Sequence, residues 1–379
     1  MKKRTKIIIA ILVVLFLIVG IFAGVIIYVK NALKPTDDFL EGRICEEGVE
    51  ACDATVFIVD EGAYGKSTLV KLQENGIIKD ADIVYYYNRI FDGYEFVAGY
   101  FEIPHKMTDE YGNEHPTTLD ELLAFIADPK NAHQDTVTLS FDEGGLLVDY
   151  AQKIGEYTTV SAEELLNYWD DRDVIRSYMN EYPFLTEEIL EDDVKHCLEG
   201  YLFPDTYEFF EFTNCDEITR RFLDRTLEVY QKYKDDFDAS KFTINEIFTL
   251  ASMVQWESGD PTDSSLVAGV FVNRLNAEMM LQSSVTTCYA FDMKEECFEK
   301  GDITEINWTY HPYNTYTIDG FPPGPICNAN ELSIYASLHP DTEDGYFFFV
   351  ANYCDGGTKF TKTYEEHLYY SDLYAACLN

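Results

Sequence analysis

The stretch from Ile244 to Asp263 decides the fold of the C-terminal third, and it reads INEIFTLASMVQWESGDPTD. Its apolar residues recur at the spacing of one helix face, namely Ile247, Phe248, Leu250, Ala251 and Val254. This periodicity predicts a helix with one buried face that ends at Gly259. A second helix should follow, capped by Asp260 and opened by Pro261.

Glu257 falls in the last turn of the first predicted helix. The carboxyl end of a helix dipole disfavours negative charge, and an apolar setting raises the pKa of a carboxyl group. Both effects favour a glutamic acid that is protonated near neutral pH, as a general acid must be. The spacing also fits an exposed or cap-like glutamate at a helix junction, because perturbed carboxylates are common in structural roles.

The residues beyond Glu257 are rich in the groups that a sugar-binding groove needs. The next predicted helix ends with Asn273 and Arg274, and residues 280–284 read as an extended piece that carries Gln282. The segments HPYNTY (311–316) and GFPPGPI (320–326) follow. Aromatic faces stack on sugar rings, while amides and hydroxyls pair with sugar hydroxyls and N-acetyl groups. Each segment alone fits an ordinary turn or rigid loop equally well.

Composition bounds the class of protein. The chain has 379 residues, of which 46% are hydrophobic and 15% aromatic, so it is neither disordered nor collagen-like. Its length predicts two or three domains. With 28 basic and 68 acidic residues, its net charge is −40, which disfavours nucleic acid as a partner.

The N-terminus predicts the compartment. Residues 7–29 carry no charge and are long enough for one transmembrane helix. Four basic residues precede this span, so residues 1–6 should lie in the cytoplasm and the rest outside. A cleaved signal peptide is the alternative, although its apolar region is usually shorter. All nine cysteines follow the span, where disulfides can form, and their odd number leaves at least one thiol free or paired between chains.

The pattern of predicted helices and strands along the chain indicates an α+β protein. Residues 30–53 read as an acidic spacer, and 54–135 as a module of strand, helix, helix and strand. Residues 136–240 should form a mostly helical connecting region, and 241–379 a mixed α/β domain. The cysteine neighbours in sequence are Cys45 with Cys52, Cys197 with Cys215, and Cys288 with Cys297. The sequence contains neither CxxC nor HExxH, so we expect no metal and no cofactor.

Six motifs occur together in one order: LASMVQWES, VFVNRL, LQSS, YNTY, GFPPGPI and LHP. In that order and rough spacing the chain resembles the MltG (YceG-like) endolytic murein transglycosylase family. The segment EGYLFPDTYEF (199–209) matches a further family motif. The resemblance implies an N-terminal anchor, a LysM-like module at 54–135 and a transglycosylase domain at 241–379.

The resemblance also implies residue roles. Glu257 matches the catalytic glutamate. The candidates for binding the glycan are Arg274, Gln282, Tyr313, Asn314, Thr315, Tyr316 and Gly324. The chain departs from the family pattern at Gln255 and Trp256, where ASIVEKE has Glu and Lys, and at Ser284 and Val285, where LQTDPT has Asp and Pro.

The implied reaction is cleavage of peptidoglycan strands between N-acetylmuramic acid and N-acetylglucosamine, leaving 1,6-anhydro ends at the cell membrane. Glu257 would act as acid and then as base. Membrane proteins of cell-wall synthesis are candidate partners. One alternative is a non-catalytic wall-binding scaffold, with Gln255 and Ser284 as marks of lost activity. Another is a glycan hydrolase that pairs Glu257 with Asp260 or Asp263.

Overall fold

The computed structural model describes residues 24–44, 52–60, 63, 65–109, 111–258, 261–292, 308–354 and 356–378. Most of the predicted membrane span, residues 7–23, lies outside these ranges. Residues 24–32 form the first described helix, α1. Within the described chain, no helix is both long and apolar enough to cross a membrane.

The protein is α+β, as predicted, and divides into two compact units. The first unit comprises residues up to Thr136 with Phe210–Phe212, and the second comprises the rest. The further helices of the first unit are α2 (Asp37–Leu40), α3 (Gly65–Glu74), α4 (Ala81–Tyr87) and α5 (Leu119–Ala127), with a π-helical turn at Asn88–Asp92. Its strands are β1 (Ala54–Val59), β2 (Gly99–Pro104), β3 (Lys106–Thr108) and β4 (Glu114–Pro116).

The first unit has the predicted order of strand, helix, helix and strand. Strands β1 and β2 pair antiparallel, with helices α3 and α4 between them in sequence. Helix α4 ends at Tyr87, where the α-helical pattern stops. The amide of Asn88 bonds both backbone groups of Tyr94, which holds the chain in a π-helical turn instead.

The second unit is mainly helical. Its helices are α6 (Leu147–Tyr157), α7 (Ala162–Asp170), α8 (Arg172–Tyr178), α9 (Cys215–Lys232), α10 (Lys234–Ala239), α11 (Ile244–Glu257), α12 (Ser264–Asn276), α13 (Ser284–Ala290), α14 (Glu331–Leu338) and α15 (Tyr364–Ala375). Short 3-10 turns lie at Glu187–Leu190, Pro261–Asp263 and Ala376–Leu378. Its paired strands are β5 (Thr136–Ser140) with β6 (Thr206–Phe210), and β7 (Phe348–Ala351) with β8 (Thr358–Thr361).

Helix α11 is the centre of this unit. All five apolar residues of its predicted face are buried, which confirms the helix and its orientation. The ring of Phe248 lies 4.8 Å from that of Tyr201 and 6.3 Å from that of Phe184, measured between centroids. The residues before 240 and helix α11 therefore share one aromatic core. Helices α12 and α14 pack against α11 on other sides.

The helix after α11 begins later than predicted. Pro261 opens a 3-10 turn, and α12 starts at Ser264, whose hydroxyl lies 3.1 Å from that of Ser258. A proline has a fixed φ and no N–H, which suits the first turn of either helix type. Asp260 lies outside the described residues. Residues 280–284 are not wholly extended, because Ser284 already begins α13.

Strand β7 is half-buried and pairs antiparallel with β8. A disulfide joins Cys354 to Cys377, and Cys52 and Cys288 are also disulfide-bonded. The neighbours Cys197 and Cys215 do not pair, since both are thiols. The Sγ of Cys197 lies against the carbonyl of Asp170, whereas Cys215 begins α9.

Candidate active site

Glu257 is the last residue of α11, and its side chain is half-buried. Its Oε1 accepts a hydrogen bond from the hydroxyl of Ser283, and the two oxygens are 2.6 Å apart. Burial raises the pKa of Glu257, while the Ser283 hydrogen bond and the charge of Arg274 oppose that rise. The raised pKa agrees with the argument from sequence, and burial is its main cause.

Ser283 is a site residue that sequence reasoning missed. Its side chain is buried, and its backbone N–H donates to Thr315 Oγ1 at 2.9 Å. Its carbonyl accepts from the hydroxyl of Thr286 at 2.8 Å, within the first turn of α13. The LQSS motif was the available signal, but the motif does not reveal which of its serines contacts Glu257. The surrounding hydrogen bonds fix the Ser283 hydroxyl toward the carboxyl group.

Arg274 is buried near the end of α12 and holds the chain beside the site together. It donates to the carbonyls of Phe347 at 2.7 Å, Leu281 at 2.8 Å and Met280 at 3.2 Å. Its guanidinium also lies over the ring of Phe348, 4.8 Å from the centroid. Burial lowers the pKa of Arg274, and the charge of Glu257 opposes this. Arg274 thus acts on Glu257 through its charge.

Gln282 is exposed and has a left-handed backbone, with φ of 49°. Its N–H donates to the carbonyl of Thr315 at 3.1 Å. Its Oε1 lies 3.5 Å from a guanidinium nitrogen of Arg274. The unusual backbone conformation places Gln282 between two residues that hold the site and leaves its side chain open to solvent.

The YNTY segment was expected to touch glycan, but most of its side chains are buried. Tyr313, Asn314 and Thr315 are all buried, so their side chains support the site from within. The hydroxyl of Tyr313 accepts from the N–H of Lys195 at 3.3 Å. A Cβ at Gly324 would lie 3.2 Å from that hydroxyl, so this buried glycine permits the close approach.

Asn314 ties the segment together with its amide. Its Nδ2 donates to the carbonyl of Thr309 at 2.8 Å. Its Oδ1 accepts from the hydroxyl of Thr287 at 3.0 Å and from the N–H of Tyr316 at 3.1 Å. A buried amide with its donor and acceptor both used fixes the neighbouring backbone strongly.

Tyr316 follows Thr315, whose Oγ1 accepts from the N–H of Ser283, the residue that donates to Glu257. Tyr316 is half-buried, and both burial and the charge of Glu257 raise the pKa of its phenol, while Arg274 opposes the rise. Its ring meets that of Trp308 edge to face, with centroids 6.2 Å apart. Both Trp308 and Tyr310 are 72% exposed. Sequence analysis did not single out either of these two aromatic residues.

Gln255 and Trp256, which depart from the family pattern, form hydrogen bonds with chain outside the site. Oε1 of Gln255 accepts from the N–H of Asn330 and the hydroxyl of Ser333, both at 3.0 Å, at the start of α14. Nε1 of Trp256 donates to the carbonyl of Gly144 at 2.9 Å. Both residues therefore anchor α11 to surrounding chain.

A second buried carboxyl group lies in the EGYLFPDTYEF segment. Glu199 is buried, and burial raises its pKa to about 7. It accepts from the N–H of Leu147 at 3.0 Å and from the amide of Asn328 at 3.4 Å. Asn328 also accepts from the N–H groups of Gly200 and Leu202. This network links the segment to the start of α6.

Glu257 does not belong to a cluster of metal-ligating side chains in the part of the chain described. No three histidine, cysteine, aspartate or glutamate side chains gather there in a way that could hold a metal ion. The groups that act on the pKa of Glu257 are a hydroxyl and a guanidinium. Such a set suits proton transfer by a single carboxyl group.

Known proteins resemble this chain along most of its length. The profile of the YceG-like family matches residues 57–372. An endolytic murein transglycosylase of Bacillus subtilis is 30% identical over 90% of this chain and 91% of its own length. One from Streptococcus pneumoniae is 28% identical over 82% of this chain, which spans 56% of that longer relative. A YceG-like protein of Listeria monocytogenes, known from a crystal structure, matches with a TM-score of 0.57 and 28% identity, covering 83% of this chain and 98% of its own.

The fold and the site define a protein with a half-buried glutamate of raised pKa at the end of a core helix. The chain belongs to the YceG-like family.

Proposed function

We propose that the chain is an endolytic lytic transglycosylase of peptidoglycan, a lyase. It cleaves the β-1,4 bond between N-acetylmuramic acid and N-acetylglucosamine within a strand, and so terminates or releases nascent glycan. The observation that carries the proposal is Glu257, a carboxyl group with a raised pKa, held between the Ser283 hydroxyl and the charge of Arg274. Its relatives of known name support the same reaction class.

Glu257 acts first as an acid and then as a base. The protonated carboxyl group gives its proton to the glycosidic oxygen as the bond to C1 of the muramyl sugar breaks. The resulting carboxylate takes the proton of the C6 hydroxyl while that oxygen bonds to C1, which closes the 1,6-anhydro ring. Burial favours the acid before cleavage, and the hydrogen bond from Ser283 and the charge of Arg274 stabilise the carboxylate after it.

A single carboxyl group distinguishes this reaction from ordinary glycoside hydrolysis. Hydrolases use two carboxyl groups, roughly 5–10 Å apart. The charged neighbour that acts on Glu257 within the described chain is a cation. The competing hydrolase would need Asp260 or Asp263 as the second group, and its products would carry reducing ends.

We assign two kinds of role to the remaining site residues. Gln282 and Tyr316 contact the glycan, because Gln282 is exposed and Tyr316 is half-buried against the exposed ring of Trp308. Arg274 positions the acid and the segment before α13. The buried supports of the site are Tyr313, Asn314, Thr315 and Gly324.

The same proposal places the rest of the chain. Residues 1–6 lie in the cytoplasm, 7–29 anchor the protein in the bacterial cell membrane, and 30–53 space it from the lipid. The module at 54–135 is LysM-like and meets the wall. The connecting region at 136–240 and the transglycosylase domain at 241–379 act outside the cytoplasm, with membrane proteins of cell-wall synthesis as partners. The predicted span and the exposed end of α1 support this arrangement.

Product analysis tests the proposal. Purified peptidoglycan is incubated with residues 31–379, with the Glu257→Gln variant and with the control Glu163→Gln, which changes an exposed carboxylate of α7. Mass spectrometry of the soluble fragments then identifies their ends. We expect 1,6-anhydromuramyl ends from the wild type and the control, and none from Glu257→Gln.

The other outcomes separate the alternatives. Reducing ends in place of anhydro ends would establish a hydrolase. Retention of glycan without cleavage by the wild type would favour the wall-binding scaffold, and would point to Gln255 and Ser284 as the residues to revert.

A further inference from the structure

Two exposed aromatic residues precede the buried segment that supports the candidate acid. The side chains of Trp308 and Tyr310 are each 72% exposed. A single exposed aromatic residue is ordinary on a protein surface, but two of them at positions i and i+2 need a reason. The third member of this group is Tyr316, whose ring contacts that of Trp308. Tyr316 follows Thr315, which bonds to Ser283, the residue that donates to Glu257.

The pair is held in place from beneath. Between its two members, the carbonyl of Thr309 accepts from the buried amide of Asn314 at 2.8 Å. The N–H of Asn314 in turn donates to the carbonyl of His311 at 2.9 Å. The backbone under the exposed rings is therefore fixed by a fully buried residue. Rigid aromatic residues give contact area at a low cost in conformational entropy, because few torsions remain to be fixed on binding.

The geometry of the rings leaves a face for a ligand. Trp308 and Tyr316 meet edge to face, at an interplanar angle of 76°. In such a contact, the ring that offers its edge keeps both of its faces uncovered by the other. The C–H face of a pyranose ring is apolar and packs against an aromatic face, while its hydroxyl groups stay in water.

We propose that Trp308, Tyr310 and Tyr316 form an aromatic platform on which one sugar ring of the glycan strand stacks, next to the bond that Glu257 cleaves. The inference rests on the proposed function for the identity of the strand. The ligand class is a β-1,4-linked N-acetylhexosamine chain. The link from the platform to Glu257 runs from Tyr316 through its neighbour Thr315 to Ser283, which donates to Glu257, so a stacked ring fixes the position of the strand relative to the acid.

Tryptophan fluorescence gives a direct test. The chain has three tryptophans: Trp169 is fully buried, Trp256 is hydrogen-bonded to Gly144, and Trp308 is exposed. The titration uses the non-cleaving Glu257→Gln protein and a purified, peptide-free strand of alternating N-acetylglucosamine and N-acetylmuramic acid. We expect the emission to change with strand concentration, and most of that change to be lost in Glu257→Gln combined with Trp308→Phe. Emission changes of equal size with and without Trp308 would overturn the proposal.

Binding and kinetics give the second test. Trp308→Ala should weaken strand binding roughly three- to tenfold, as expected for the loss of one stacked ring. In cleavage assays KM should rise by a similar factor and kcat should change little, and Trp308→Phe should restore most of the affinity. Tyr157→Ala, which removes an exposed ring at the end of α6, is the matched control and should bind as the wild type does. Equal affinity for the wild type and for a Trp308→Ala protein of unchanged Tm would overturn the platform.

The two proposals fail separately. If the wild type makes anhydro ends while Trp308→Ala binds normally, the platform is wrong and the reaction stands. If the wild type makes no anhydro ends but strand binding still depends on Trp308, the platform stands and the reaction is wrong.

Discussion

Ser283 and Glu257 are 26 residues apart in sequence and share a hydrogen bond with an oxygen–oxygen distance of 2.6 Å. The hydroxyl donates, so the bond favours the carboxylate form of Glu257. Burial favours the acid form, and it is the larger of the two effects. A carboxyl group that must first give a proton and then take one back is held between these two opposing influences.

Removing the Ser283 hydroxyl should slow the reaction and move its pH profile. In Ser283→Ala the hydrogen bond that lowers the pKa of Glu257 is gone, so that pKa rises further. The acid form then persists to higher pH, and the basic limb of kcat/KM shifts upward. We expect kcat to fall about tenfold to a hundredfold, the range for a lost hydrogen bond to a charged group.

The neighbouring serine is the control for this prediction. Ser284→Ala removes a half-buried hydroxyl from the first residue of α13 and should leave the basic limb in place. A Ser283→Ala protein with the pH profile of the wild type would show that the hydrogen bond has no part in proton transfer.

Arg274 should matter for both stability and acidity. Arg274→Met leaves the carbonyls of Phe347 and Leu281 without their buried donor, which should lower the free energy of unfolding by about 2–4 kcal/mol. It also removes the cation that lowers the pKa of Glu257, so the basic limb should again move upward. Thermal unfolding and the pH dependence of kcat/KM measure the two effects.

A lysine at the same position separates these effects. Arg274→Lys keeps the positive charge but cannot reach several carbonyls with a planar fork. The basic limb should stay near that of the wild type, while Tm still falls. A pH profile that moves as far in Arg274→Lys as in Arg274→Met would contradict the electrostatic role.

The departure at Gln255 should be silent for catalysis. Its Oε1 accepts two hydrogen bonds at the start of α14, and a carboxylate oxygen can accept the same two. Gln255→Glu should therefore give kcat/KM within about twofold of the wild type, because the carboxylate oxygen replaces the amide oxygen as the acceptor of the same two hydrogen bonds. A gain of tenfold or more would show that the family's glutamate assists the reaction and that this chain is impaired.

Helix α11 shows how far local pattern carries a prediction. Its apolar spacing and the turn residues after it were enough to predict the buried face and the position of Glu257 in the last turn. The helix needs no information from distant chain, because its own periodicity selects the buried side. The first unit's strand order was predictable for the same reason.

The roles of the polar site residues were harder to predict, because a sequence does not show which polar side chains are buried. Asn314 and Thr315 were expected to touch glycan, yet they are buried and bond to other parts of the site. Ser283 was passed over, although it contacts the acid. Whether a hydroxyl or an amide faces solvent or core depends on packing between segments far apart in the chain, and one sequence alone does not contain that information.

Glu199 offers a prediction that concerns stability alone. Its pKa is raised from 4.5 to about 7 by burial, so the folded protein holds a proton there that the unfolded chain releases at lower pH. Folding stability from this group is therefore complete below pH 4.5 and is lost as pH rises toward 7. The shift corresponds to about 3 kcal/mol between these limits. Glu199→Gln keeps an oxygen to accept from Leu147 and cannot ionise.

The comparison is Tm against pH for the wild type, Glu199→Gln and the surface control Glu163→Gln. We expect Glu199→Gln to match the wild type near pH 4.5 and to exceed it near pH 8. Two charged groups face Glu199: His196 lowers its pKa and Asp149 raises it. His196 titrates as well, since its bond to Asp170 and the charge of Glu199 raise its pKa despite burial. Because Glu199→Gln therefore also alters His196, the comparison is repeated with His196→Gln in all three proteins. If Glu199→Gln followed the wild type at every pH, ionisation of the buried carboxyl group would carry no cost, and the raised pKa would be wrong.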